Sequence, residues 1–315
     1  MNTSTLFFGI DDQGKRIDRI LRSLFPKIPI SHLYKMLRTG KARINGKKVP
    51  PTYRVQKGDS LSLPPDFSTL ISLSTLPVIR PPAGLTILYE DADFLVVNKP
   101  KGIVTHGKKS LTSQVLNYLQ GALPPSLSYV PGPLHRLDKN TTGIVVFGKS
   151  LQGARLFSAA LQTREITKYY LSIVSGTVKS PVRWIHSLQR DPARRKTVQA
   201  SNLIKGDSPL KESLTQIYPV AITHQIPGGA TLVSIHLLTG RTHQIRAQAA
   251  LEGHPLVGDS KYGGLDLKGG YLLHAYYLEL PGRLSIFAPV PNSFANTIRK
   301  LFGNGPFSFQ GFTLG

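Results

Sequence analysis

Among the side chains of this 315-residue chain that could do chemistry, one carboxylate stands out by its company. Asp138 lies in Pro-Leu-His-Arg-Leu-Asp-Lys-Asn-Thr-Thr-Gly-Ile-Val-Val-Phe-Gly-Lys, residues 133–149, with His135, Arg136 and Lys139 beside it. A Thr-Thr-Gly turn and the apolar run from Ile144 to Phe147 follow, so the stretch reads as strand, charged turn, strand. Opposite charge within a few ångströms favours the ionised form of a carboxylate. In that form it can act as a nucleophile at neutral pH. The same residues also satisfy an Asx-turn, in which Asp138 would only bond neighbouring backbone amides.

Two further stretches carry reactive residue types. Thr167 to Gly176 alternates as a strand, with Tyr170 and Ser172 on one face and Tyr169, Leu171 and Ile173 on the other; it contains Lys168-x-Tyr170. A strand from Leu232 to Leu238 runs into Thr239-Gly240-Arg241-Thr242-His243-Gln244-Ile245-Arg246, which begins a helix. Taken alone, Tyr170 could be core packing, Arg246 a surface cation, and Arg241 and His243 turn residues. No metal is expected, because His243 with His254 or His274 matches no ligand spacing. Gly102 to Lys109 spells Gly-x-x-x-x-Gly-Lys-Lys, but a phosphate-binding P-loop needs Ser or Thr where Lys109 stands. A glycosidase would need a second, opposed carboxylate, and only one stands out.

In their order along the chain, these three motifs resemble the catalytic signature of the RluA-type pseudouridine synthases, which isomerise uridine in structured RNA. The resemblance spans roughly residues 85–290, with further landmarks at Val97-Asn98-Lys99-Pro100-Lys101-Gly102 and Gly253-His254-Pro255. It implies that Asp138 is the nucleophile and that Arg246 holds it charged, a guanidinium being able to grip a carboxylate through two bonds. Tyr170 would offer a face on which the target base stacks, worth about 1 to 3 kcal/mol, and would help move the C5 proton. By the same resemblance Arg136 fills the vacated space or holds the flipped nucleotide, and His135, Arg241 and His243 contact substrate. Extruding a stacked uridine costs a few kcal/mol. The exchange of an N1 bond for a C5 bond at C1′ involves no redox change or group transfer, so no cofactor is expected. Thr142, Ser172 and Ser260 depart from the family's commoner Ser, Ala and Pro, which touches fine positioning only.

The remaining chain must position and serve that chemistry. Lys and Arg number 39 against 17 Asp and Glu, a net charge of +22 with pI near 10.2, which points to a polyanionic partner. No long apolar stretch or basic amphipathic anchor suggests a membrane. Cysteine is absent, excluding disulfides and thiolate chemistry. The apolar Leu6-Phe7-Phe8 lacks the basic lead-in of a signal peptide, so a cytoplasmic protein is expected.

Residues 1–14 read as a loose leader. Residues 15–63 hold two short amphipathic helices, an Asn45-Gly46 hairpin and 13 Lys or Arg against only Asp18 and Asp59. They resemble the small S-four-type RNA-binding module, with Arg38, Lys41, Arg43, Lys47 and Lys48 as expected phosphate contacts. Residues 64–84, rich in Pro, Ser and Thr, read as a linker. Residues 85–291 are the expected catalytic domain, with Arg183 to Lys196 as a basic loop. Residues 292–315 form a tail whose apolar spacing predicts a closing helix, its last residues being disordered. The fold class expected is α+β: a pseudouridine synthase core of mixed, largely antiparallel sheet flanked by helices and loops, plus a small N-terminal α/β RNA-binding domain. The resemblance makes large-subunit ribosomal RNA the expected partner of a monomer, with a transfer RNA synthase or a catalytically silent ribosome-assembly factor as alternatives.

Overall fold

The computed structural model describes residues 4–68, 85–120, 126–191, 196–200, 212–309 and 312–314. In the N-terminal unit a strand, β1 (Ser4–Phe7), precedes helices α1 (Ile17–Leu24) and α2 (Ile30–Thr39), strands β2 (Arg43–Ile44) and β3 (Ser60–Leu63), and a short turn of helix, α3 (Pro65–Ser68). The three strands order β1-β3-β2, all antiparallel. One face of each helix closes on them: Ile17, Ile20, Leu21, Leu33, Met36 and Leu37 are at most 2% exposed. Asn45 and Gly46, with φ of 49° and 73°, make the tight turn that their residue types prescribe.

Residues 4–14 are not a loose leader. β1 pairs along its length with β3, and Phe8 is 2% exposed in the unit's core. The two acids that follow reach out of the unit. Asp12, fully buried, accepts the Leu127 N–H at 3.0 and 3.1 Å from its two oxygens and bonds the Ser126 and Ser128 hydroxyls. Asp11 accepts the N–H of Leu151 at 3.1 Å. Their sequence looked like the end of an apolar leader because nothing local shows that their partners lie more than a hundred residues away. Of the expected linker, residues 65–68 form α3, and residues 69–84 lie outside the described residues.

The second unit is built on an eleven-stranded sheet. Along the chain come β4 (Thr86–Glu90), β5 (Phe94–Lys99), α4 (Leu111–Leu119), β6 (Gly132–Pro133), β7 (Thr142–Gly148), α5 (Leu151–Gln162) and β8 (Thr167–Ser175). There follow β9 (Val182–Asp191), β10 (Lys196–Gln199), β11 (Glu212–Thr223), β12 (Ala230–Leu237), α6 (Gln244–Leu251), β13 (Leu273–Leu280), β14 (Leu284–Phe287) and α7 (Asn292–Phe302). The main path is β10-β9-β11-β12-β8-β13-β7-β5-β4, with β14 on β13 and β6 on β7. Among the described residues every pairing is antiparallel except that of β7 with β13. The architecture is α+β with a mixed, largely antiparallel sheet.

Alternation along the strands splits the core in two. Leu95, Val97, Val145, Phe147, Tyr170, Val174, Val233 and Ile235 face α4 and α6. Phe94, Val96, Ile144 and Val146 face α5, and Leu171, Ile173, Leu232 and Tyr276 face α7. The closing helix expected in the tail is α7, burying Phe294, Ile298 and Leu301. Beyond it the chain forms a hairpin, β15 (Phe307–Phe309) with β16 (Phe312–Leu314), where disorder was expected; Phe309 anchors it edge-on to Tyr276 at 5.0 Å. The basic stretch expected as a loop is instead β9 and β10, paired from Asp191–Lys196 to Leu188–Gln199, with residues 192–195 outside the described residues. Its alternation was hidden because Trp184 is the one large apolar side chain it buries. No helix among the described residues is long and apolar enough to cross a membrane.

Candidate active site

The turn that carries Asp138 is held from behind by backbone-directed bonds. Thr105 Oγ1 donates to Leu137 O at 3.0 Å and accepts from Leu137 N at 3.2 Å. Lys99, fully buried, spends its ammonium on the carbonyls of Pro100, Ile103 and Lys139 at 3.1, 2.8 and 3.0 Å. Burial lowers its pKa to about 8, with Asp138 working the other way. On leaving the turn, Gly143 takes φ of 108°, and a Cβ there would stand 2.2 Å from Ala275 O. Only glycine lets β7 approach β13 this closely.

Thr141 N bonds the main-chain oxygen of Asp138, at 3.1 Å, not its carboxylate. The Asx-turn reading therefore fails, and the carboxylate, 17% exposed, points into a cavity of about 320 Å³. There Oδ2 accepts from Arg246 Nη1 at 3.2 Å and lies 3.7 Å from His243 Nε2. The expected two-bond grip of Arg246 exists, but on a different acid: Nε and Nη2 donate to the two oxygens of Asp259 at 2.6 and 2.8 Å. Asp259 is 1% exposed, and the guanidinium lies between the rings of Tyr271 and Tyr262, 4.3 and 5.0 Å from their centroids. Burial opposes the charge of Arg246, yet the bonds to Asp259 override it and raise the pKa above the usual arginine range.

His243 precedes α6 in the left-handed region, φ 54°. Gln244 fixes this loop: its amide oxygen accepts from Thr239 Oγ1 and Arg241 N at 2.9 and 3.0 Å, and its nitrogen donates to Leu214 O and Thr215 Oγ1, both at 3.0 Å. Tyr262 already accepts the Thr197 N–H at 2.9 Å, so its own hydrogen is available to His243 Nδ1, 3.0 Å away, leaving Nε2–H toward Asp138. Burial, opposed by Asp138 and aided by Arg246, lowers the pKa of His243 and keeps it neutral at pH 7.

All seven residues singled out around the three motifs line this one cavity: His135, Arg136, Asp138, Tyr170, Arg241, His243 and Arg246. Tyr170 is 5% exposed, and burial together with Asp138 raises its pKa. Arg136 and Arg241 are exposed at the rim. The His135 ring is committed elsewhere: Nε2 accepts Val146 N at 3.1 Å and the ring stacks on Phe157, 5.9 Å between centroids. Burial drives its pKa down to about 3. Arg38, Lys41, Arg43, Lys47 and Lys48 are not at the cavity; all five are exposed on the N-terminal unit, where Arg43 also bonds the Gly40 and Gly46 carbonyls at 2.9 and 3.1 Å. Sequence reasoning missed Asp259, Tyr262 and Tyr271. The available signal was an acid, in a chain with only 17, one glycine after the apolar pair Leu256-Val257.

A single carboxylate braced by a guanidinium, facing a buried tyrosine in a small cavity, fits an enzyme that works through one carboxylate and needs no second. A family model described as RNA pseudouridylate synthase matches residues 93–251. "Ribosomal large subunit pseudouridine synthase C" of Buchnera aphidicola subsp. Acyrthosiphon pisum (strain APS) is 32% identical, covering 95% of this chain and 97% of that protein. The protein of the same name from Salmonella typhimurium (strain LT2) is also 32% identical, over 92% and 94%. Among solved structures, "Human RNA Pseudouridylate Synthase Domain Containing 1" superposes with a TM-score of 0.58 at 26% identity, covering 74% of this chain and 94% of that one. The chain belongs to the RNA pseudouridylate synthase family and is an isomerase that acts on uridine in RNA.

Proposed function

We propose that the chain converts specific uridines of large-subunit ribosomal RNA to pseudouridine, with Asp138 as the catalytic aspartate, working in the cytoplasm as a monomer without cofactor. The observation that carries this reading is the convergence of Asp138, Tyr170 and Arg246 on one cavity of about 320 Å³. An extruded uridine entering it meets the Tyr170 ring, whose stacking repays about 1 to 3 kcal/mol of the cost of flipping. Asp138 then stands ready to act on the nucleoside as the C1′–N1 bond breaks. Because Asp259 takes the two-bond grip of Arg246, Asp138 accepts a single bond from it and keeps its other oxygen for substrate. The base turns, C5 bonds to C1′ and loses its proton, and N1 takes one up in its place, so atoms and electrons balance without any co-reactant. Arg136 and Arg241 at the rim suit the backbone of the flipped nucleotide. Exposed Arg38, Lys41, Arg43, Lys47 and Lys48 would hold neighbouring phosphates, making the N-terminal unit an RNA clamp. The relatives' printed names supply the ribosomal substrate.

The test is deletion of the protein from its host, mapping of pseudouridine by carbodiimide-blocked primer extension, and restoration with wild type or Asp138→Asn. Loss of signals in large-subunit ribosomal RNA that only wild type restores is the expected result. Signals lost from transfer RNA instead would move the substrate, and restoration by both versions would leave only an assembly role.

A further inference from the structure

Among the described residues two lysines are deeply buried on the side of the sheet that carries the cavity, and the fold treats them differently. Lys99 is saturated by three backbone carbonyls. Lys168 is 9% exposed, and its ammonium makes no hydrogen bond and no ion pair among the described residues. It lies on β8 two residues before Tyr170, so strand alternation turns both to the same face, and both line the cavity with Asp138. The ammonium reaches the loop after β12: it is 3.9 Å from where a Cβ on Gly240 would stand. The titratable groups it influences are His135 and His236, whose pKa values burial and Lys168 lower, so both rings are neutral at pH 7 and neither offers a counter-charge. Burial lowers the pKa of Lys168 as well.

A buried charge without a partner is among the costlier features a fold can keep. An ammonium has three donors and no acceptor, so its complement must be an oxygen brought by something else. Resting on the uridine-isomerase reading above, we propose that Lys168 donates to a carbonyl oxygen of the extruded uracil, making it a substrate-contacting residue that selects uracil and stabilises the base while it is detached. Uracil brings two such oxygens, O2 and O4, into the cavity that Lys168 and Tyr170 line together. A contact to O4 would in addition exclude cytosine, which turns an amino donor there, an arrangement that a site built around a buried donor rejects. As N1 leaves C1′ the base keeps the bonding pair, which spreads onto O2 and O4. The contact then strengthens when it is needed, until C5 returns a pair to C1′ and sheds its proton while N1 takes one up.

The experiment uses the full chain with in vitro transcripts of large-subunit ribosomal RNA, made with uridine, 2-thiouridine or 4-thiouridine, and compares wild type with Lys168→Met. A thiocarbonyl is a poor acceptor, so one of the two thio substitutions should slow single-turnover pseudouridine formation by wild type about 10-fold. Lys168→Met should be slower than wild type by about 100-fold on uridine. It should show no remaining thio effect at that position and hold RNA within about 2-fold of wild-type affinity, since most of that affinity comes from phosphates. Its melting temperature should rise, because an unpaired buried charge has been replaced by an apolar chain of similar length. A lysine with a merely structural role predicts the reverse: lower melting temperature and thio effects unchanged by the substitution. A wild type active on these transcripts beside a Lys168→Met variant of equal rate, or of equal thio effects, overturns the proposal alone. A wild type that forms no pseudouridine in them overturns the ribosomal reading as well.

Discussion

Arg246 divides its donors between two carboxylates of different exposure, and the division sets what each acid can do. Asp259, 1% exposed, takes two short bonds and neutralises the guanidinium; Asp138, 17% exposed, takes one of 3.2 Å and keeps an oxygen facing the cavity. The two acids should therefore respond differently to loss of charge. Asp259→Asn leaves a buried arginine without its partner and should cost about 3 to 5 kcal/mol, read by chemical denaturation, together with a large fall in rate. Asp138→Asn should cost at most about 1 kcal/mol while abolishing turnover. Equal stability losses in the two variants would contradict the division of roles. Asp138, Tyr170 and Arg246 were legible because each stands in a motif of recognisable wording. Asp259 was not, since its partner is 13 residues upstream across a helix and a turn, and spacing of that kind carries no periodic signal.

At the scale of elements, the turn that carries Asp138 depends on the place where β7 and β13 run parallel. Gly143→Ala would drive a Cβ into Ala275 O and force alanine to φ of 108°, so it should destabilise by more than about 3 kcal/mol in thermal unfolding, above what backbone strain alone costs. An alanine variant of wild-type stability would refute the close approach. Strands such as β5, β7 and β8 could be read directly, because buried alternation and apolar runs are local. Helix α6 could be recognised only as the continuation of a motif: Gln244, Ile245, Arg246, Ala247, Gln248 and Ala249 are all buried, so it has no polar face to betray its period. Its polar side chains are satisfied by distant strands, Gln248 by the carbonyls of Trp184 and Ser213 at 3.1 and 2.9 Å. The same holds for the bridge from the N-terminal unit. Asp12→Ala would strand the Leu127 N–H at a cost of about 1 to 3 kcal/mol. It should free the N-terminal unit to move, raising the radius of gyration in small-angle scattering. An unchanged scattering profile would mean that Asp12 does not hold the two units together.

For the molecule as a whole, charge and pH set the outer limits. His274 is fully buried, with Nδ1 2.8 Å from Thr142 Oγ1 and Nε2 3.2 Å from Ala288 O; burial lowers its pKa from 6.5 to about 4. The fold holds it neutral, so at pH 5 the unfolded chain binds more protons. Its contribution is complete above about pH 6.5 and is lost as pH falls toward 4, at up to about 1.4 kcal/mol per pH unit. His135, held to about 3, adds a loss of the same sign that extends lower. Melting temperatures recorded from pH 7.5 to 4.5 should fall steadily below pH 6.5; a flat profile would contradict neutral burial. The net charge of +22 is the property of the whole chain that composition alone disclosed, whereas the docking of the two units was invisible to it. The most direct measurement of the central claim uses RNA labelled with tritium at C5 of uridine, because joining C5 to C1′ expels that hydrogen. Wild type should release tritium to water, and Asp138→Asn should release none while binding the same RNA with affinity within about 2-fold. Tritium release by Asp138→Asn at the wild-type rate would contradict the account.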